Sequence, residues 1–245
     1  MRLTIVLLLI SSFAWSQDKR ILVLAEHDKN HIAYVLAAQP WLDSLVIAHN
    51  FGIDYFESAE ILEADQLSQY SLIFQMNYPP YMWTDEVKTA FEKYITEGQG
   101  GWVGVHHATL LGEFDGYPMW QWFSDFMGGI RFKDYIAGFA SATVNIEDTG
   151  HPVTSGLPKQ FTIAKDEWYT YDKSPRSNVS VLANVDESTY KPKSEKTMGD
   201  HPVIWTNPKM KARNVYIFMG HDPVLFQDKN YKTLLKNALL WAAEK

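Results

Sequence analysis

The apolar positions of the first hundred residues fall into short runs separated by helical spacing. Arg20 to Ala25 (Arg-Ile-Leu-Val-Leu-Ala) follows a charged start and predicts a buried strand. Asn30 to Asn50 has helical periodicity, with Pro40 as an internal break or a second start. Ile53 to Glu57 alternates as a strand does, and Leu72 to Met76 is a second buried run, closed by Asn77-Tyr78-Pro79-Pro80. Thr84 is a helix cap with acids behind it, and Val87, Phe91 and Tyr94-Ile95 recur on one face. Gly98-Gln99-Gly100-Gly101 stops that helix, and Trp102 to Val105 is the next strand.

Strand, helix, strand, helix, strand predicts an α/β fold with a mainly parallel sheet covered on both faces. The middle, Leu110 to about Lys196, is less regular. It holds an aromatic helix over Met119 to Met127 and strand-like runs at Ala142 to Ile146 and Val179 to Val185. Pro202 to Thr206 and Asn214 to Met219 return to the apolar pattern, and Asn230 to Ala243 is a closing amphipathic helix. No linker or convincing repeat divides the chain, so residues 17–245 are expected to form one domain.

The first sixteen residues read differently. Arg2, the run Leu3 to Ile10 and the small residues up to Ser16 have the three parts of a secretory signal, with cleavage expected after Ser16. The expected location is therefore the periplasm or the extracellular space, without a membrane anchor after cleavage. The chain has no cysteine, so burial alone must hold it together. Its net charge of −7 becomes −8 without Arg2, and no basic stripe is present, which argues against nucleic acid as a partner. Nine Trp, thirteen Tyr and thirteen Phe are a heavy aromatic load, most of it expected in the core, with a stacking surface for a flat or ring-shaped ligand as the functional alternative.

Ligands of open parallel sheets bind beyond the carboxyl ends of the strands. His27, Asp28 and His31 follow the first strand, Asn77 and Tyr78 the Leu72 strand, His106 and His107 the Trp102 strand, and His221 and Asp222 the Asn214 strand. Five of eight histidines thus fall at one expected edge. Asp166-Glu167-Trp168-Tyr169 adds an acid pair beside two aromatics, suited to sugar recognition, to proton transfer or simply to an exposed turn.

Gly98-Gln99-Gly100-Gly101-Trp102-Val103-Gly104-Val105-His106-His107 resembles the glycine-rich strand and histidine of ThuA-like proteins, the trehalose-utilisation family. In the same order, His151-Pro152-Val153-Thr154-Ser155-Gly156-Leu157, Asp166-Glu167-Trp168-Tyr169, Pro202-Val203-Ile204-Trp205 and Gly220-His221-Asp222 resemble further family segments, over about residues 19–243. The resemblance implies a flavodoxin-like three-layer fold similar to class I glutamine amidotransferases. Those enzymes carry a cysteine on the turn where this chain has His106-His107, so thiolate glutaminase chemistry is excluded. The family's Gly-Lys-Gly-Arg turn is replaced by Lys209-Met210-Lys211-Ala212-Arg213, which keeps only the arginine in place.

The resemblance further implies a part in sugar oxidation pathways, beside a dehydrogenase that makes 3-keto glycosides. The expectation is a hydrolase or lyase on keto-glycosides using histidine and carboxylate acid–base chemistry. His106, Glu167 and His221 are the candidate catalytic residues, and His31, Trp83, His107, Trp168, Tyr169 and Asp222 the candidate substrate-binding ones. A divalent metal is an open alternative for the electrophile. It is unassigned because no His-x-His or His-x3-His spacing occurs, and on an extended segment His106 and His107 would face opposite ways. A non-catalytic sugar-binding module, or a partner subunit of a sugar oxidoreductase, is the competing reading; a homo-oligomer is compatible with any of these.

Overall fold

The chain begins, in a computed structural model that describes residues 19–113, 116–136 and 138–244, with the predicted apolar run as β1 (Arg20–Ala25). The expected signal segment, residues 1–16, lies outside the described residues. There follow α1 (Ile32–His49), β2 (Gly52–Phe56), β3 (Leu72–Met76), α2 (Asp85–Glu97) and β4 (Gly101–Val105). Pro40 neither breaks nor restarts α1, which runs through it as one helix and ends at Asn50 in a left-handed conformation. Thr84 caps α2 by accepting from the Val87 N–H at 3.3 Å, and Gly98 ends it with φ +72°.

The irregular middle resolves into α3 (Gln121–Phe126), β5 (Phe132–Tyr135), β6 (Ala140–Ile146), β7 (Gln160–Asp166), β8 (Tyr169–Tyr171) and β9 (Ser180–Lys191). The chain closes with β10 (Pro202–Thr206), β11 (Asn214–Ile217) and α4 (Lys229–Ala242). β5 and β8 form a small antiparallel pair that the hydrophobic pattern does not announce, because β5 has no buried position and β8 is only three residues long.

The main sheet has the order β2-β1-β3-β4-β11-β10-β9-β6-β7. The five strands from β2 to β11 are parallel, as the sequence predicts, and β10, β9, β6 and β7 continue antiparallel. Four successive reversals return β7 to the direction of the parallel strands, so its carboxyl end lies at the same edge as theirs. Irregular register between β10 and β9, β9 and β6, and β6 and β7 marks bulges, which bend and twist a sheet. The wing curls far enough for the end of β7 to touch the segment after β11, four places away in strand order. On the parallel side α4 lies so close to β4 that a Cβ at Gly101 would overlap the Ala242 carbonyl. Among the described residues no helix is long and apolar enough to cross a membrane.

Candidate functional site

The turn after β1 supplies two carboxylates and a histidine. Asp28 Oδ1 accepts from the His31 N–H at 2.8 Å and lies 2.7 Å from its Nδ1, which fixes the ring at the start of α1. Glu26 Oε2 lies 3.0 Å from the same Nδ1 and 2.7 Å from His107 Nδ1, joining two histidines from different strands. Burial opposes charge on His31, but Glu26 and Asp28 outweigh it and raise its pKa above 6.5. With Nδ1 engaged by carboxylates, the buried His31 Nε2 is left without a hydrogen-bond partner.

β4 supplies His106 and His107 on a single 3-10 turn, His106–Thr109. His106 has φ +48°, a left-handed conformation uncommon for a residue other than glycine. Tyr216 donates to the His106 carbonyl at 2.9 Å, and Gly220 packs against its Cβ where a side chain would clash. The expectation that the two rings diverge is therefore corrected. The segment is a tight turn, and the rings stack with centroids 4.9 Å apart and 15° between planes.

The wing brings the remaining members. His106 Nε2 lies 3.1 Å from His221 Nδ1, 3.0 Å from the Tyr169 hydroxyl and 3.5 Å from Glu167 Oε2, which is itself 3.5 Å from His221 Nδ1. His31 packs against this group, its ring centroid 4.5 Å from that of His221 and 3.9 Å from that of His107. The Asp166 carboxylate ends β7 and accepts from the backbone N–H groups of Gly220, His221 and Asp222 at 2.9, 3.0 and 3.1 Å. Burial pushes Asp166 up to about 7 against the pull of these donors. Burial also drives His106 well below 6.5, with the neighbouring rings adding to it, so this imidazole is neutral. Glu167 is raised by burial but held well below the usual carboxylate range by its hydrogen bonds to His106 and His221.

Four of the five strand-edge histidines thus converge, together with Glu167 and Tyr169. His27 does not, pairing instead with Glu57 at 3.2 Å. His106 is wholly buried, whereas the side chains of His107, His221 and Glu167 keep 14, 13 and 19% exposure, so these three form the accessible face. Two expected ring-stacking residues are corrected. Trp168 is in the core, donating to the Ala140 carbonyl at 2.9 Å and stacking on Phe218, and Trp83 is buried among Phe91 and Trp120. Asp222 stands beside the cluster rather than in it. Its carboxylate caps the Val224 N–H and pairs with Lys165 at 2.7 Å. Sequence reasoning missed Glu26, although the first polar residue beyond a buried strand is a signal the edge rule could have used. It also missed Phe139, half-exposed and edge-on to His221 with centroids 4.9 Å apart.

Chemically the cluster offers imidazoles oriented by carboxylates, an ionised carboxylate and a phenol on one small surface, a set suited to moving protons. Two triads, His31 with His106 and His107, and His106 with His221 and Glu167, also bring one potential ligand atom per residue within 4.8 Å of one another. A family model described as trehalose utilisation, ThuA, matches residues 20–242. A protein of Bacteroides uniformis ATCC 8492 described as ThuA-like superposes with a TM-score of 0.80 at 29% identity, covering 92% of this chain and 91% of that one. One of Parabacteroides merdae ATCC 43184, described likewise, gives 0.69 at 21% identity over 93% and 90%. The glutaminase domain of Trypanosoma brucei CTPS gives 0.56 at 12% identity over 92% and 93%, a likeness of fold. No curated protein matches this chain.

Proposed function

The chain belongs to the trehalose utilisation (ThuA) family, and from that premise we propose that it is an exported carbohydrate-active enzyme that cleaves keto-glycosides by histidine and carboxylate acid–base chemistry. The observation that carries this reading is the pairing of His107 Nδ1 with Glu26 at 2.7 Å beside Glu167 and His221 on the accessible face. A carboxylate at Nδ1 fixes the tautomer and leaves Nε2 as a proton acceptor. Burial pushes His107 below 6.5, so that acceptor is free at neutral pH.

A 3-keto group acidifies the C2–H bond of a glycoside. His107 takes the C2 proton and the electron pair becomes an enolate. As the enolate collapses, the C1–O bond breaks with its electrons on oxygen, and His221 returns a proton to the departing alcohol. The products are an unsaturated keto-sugar and the free aglycone. Glu167, fixed between His106 and His221, holds His221 in place. His106 lies beneath the accessible face and positions the rings rather than meeting the sugar, which revises its expected role. A dehydrogenase that oxidises glycosides at C3 would supply the substrate.

The test is turnover of 3-keto-trehalose and 3-keto-cellobiose by purified protein, followed by the absorbance of the conjugated product. Wild type should turn over at least one of them, and His107→Ala should lose about 100-fold or more, the usual contribution of a positioned base. Binding of sugars without turnover across a broad keto-glycoside panel would reject the enzyme reading in favour of a binding module.

A further inference from the structure

Three atoms of the cluster form a nearly regular triangle. His106 Nε2, His221 Nδ1 and Glu167 Oε2 are separated by 3.1, 3.5 and 3.5 Å. Hydrogen bonding can join these atoms only in part. A neutral imidazole has one N–H, and the Tyr169 hydroxyl already lies 3.0 Å from the same His106 nitrogen. Ligands held about 2.0–2.2 Å from a tetrahedral ion stand about 3.3–3.6 Å apart; the two distances to Glu167 fall in that range and the 3.1 Å between the histidines is slightly shorter. A second observation points the same way. His31 Nε2 is buried and unpartnered, on a ring that is 1% exposed and lies against His221, with Nδ1 tied to Glu26 and Asp28. A carboxylate on one ring nitrogen with the other bare is the arrangement that prepares a histidine to bind metal.

We propose that His106, His221 and Glu167 bind one divalent transition-metal ion, zinc in preference to magnesium or calcium, with His31 as the adjoining imidazole. Nitrogen donors from two or three histidines with one carboxylate select zinc and its neighbours, whereas magnesium and calcium take all-oxygen sites. Ligands from the turn after β4, the end of β7 and the segment after β11 would be clamped together by one ion. The ion would also be the electrophile for the enolate oxygen of the proposed reaction. That second role rests on the function proposed above; binding itself does not.

Tag-free protein is stripped with EDTA, dialysed and titrated with zinc chloride by calorimetry, with metal content measured by mass spectrometry and folding by circular dichroism. One equivalent should bind, and magnesium should not displace it. Cobalt substitution should give the visible absorption of a low-coordinate centre. Glu167→Gln, nearly isosteric, and His221→Ala should each weaken binding at least about 10-fold while staying folded. His151→Ala, remote from the cluster, should bind as wild type. Absence of a stoichiometric ion in wild type, or wild-type affinity in both folded site variants, overturns the site. Zinc binding without turnover upholds the site while rejecting the reaction; turnover by the stripped enzyme without zinc binding does the reverse.

Discussion

Asp166, the last residue of the outermost strand β7, holds the backbone N–H of His221 at 3.0 Å across the curled wing of the sheet. The same carboxylate takes the N–H groups of Gly220 and Asp222. This contact turns a mixed sheet into a site, because it fixes Glu167 next to the histidines of the parallel half.

Removing that carboxylate should loosen both. Asp166→Ala leaves three N–H groups without their acceptor in a buried place and is expected to cost about 3 kcal/mol or more. Asp166→Asn keeps one oxygen and should cost less. Urea denaturation of the two variants at constant slope measures the difference, and equal stability of Ala, Asn and wild type would remove Asp166 from this role.

Gly101→Ala should be among the most damaging small substitutions. The new methyl would meet the Ala242 carbonyl, and backbone cannot swing aside as a side chain can. Overpacking of this kind costs about 1–3 kcal/mol or more, which lowers Tm by about 2–12 °C in a chain of this size. A melting temperature within 1 °C of wild type, as an approximate bound on scan error, would show that α4 can retreat from the sheet at little cost.

Trp168 gives a prediction that separates core from binding surface. Trp168→Phe leaves the Ala140 carbonyl without its donor and should destabilise by about 1–3 kcal/mol. Sugar affinity of the folded fraction should stay within about twofold, because a wholly buried ring touches no ligand. A large loss of affinity with stability intact would restore Trp168 to the binding surface.

Acid stability should depend on Glu187, away from the cluster. Burial raises this carboxyl, but His201 Nδ1 at 3.0 Å and the N–H groups of Met198 and Gly199 at 2.6 and 2.8 Å outweigh it, leaving its pKa below 4.5. A folded pKa below the unfolded one adds stability that is complete above about 4.5 and fades as pH falls through the folded value. The stability gap between wild type and Glu187→Gln should therefore be widest near pH 7 and shrink on acidification below about pH 4.5. Urea midpoints at four pH values check this; a gap that stays constant would mean that Glu187 is not titrating there.

The parallel half of the fold was legible because its strands read as unbroken apolar runs; Arg20–Ala25 and Leu72–Met76 match to the residue. β9 and β6 were located but drawn too short, since alternation weakens where bulges slip the register. At the site, the edge rule found His31, His106, His107 and His221 because it needs only strand ends and direction. It failed where local geometry decides. Nothing in His106-His107 announces a left-handed turn, which Tyr216 and Gly220 impose from far along the chain. Trp168 and Tyr169 are neighbours in sequence, yet only Tyr169 reaches the cluster, with its hydroxyl on His106.

The curled wing also bears on how the molecule is made. The cluster joins Glu26 and His31 from the first strand's turn to His221 near the other end of the chain, with β7 bridging them. Contacts of such sequence separation form late, after the loop entropy between them has been lost. A chain released stepwise from a ribosome or a translocation channel therefore has no assembled cluster until residue 221 has emerged and the wing has closed. Nascent or truncated forms would carry all the strands of the parallel half except β11 and still be chemically silent.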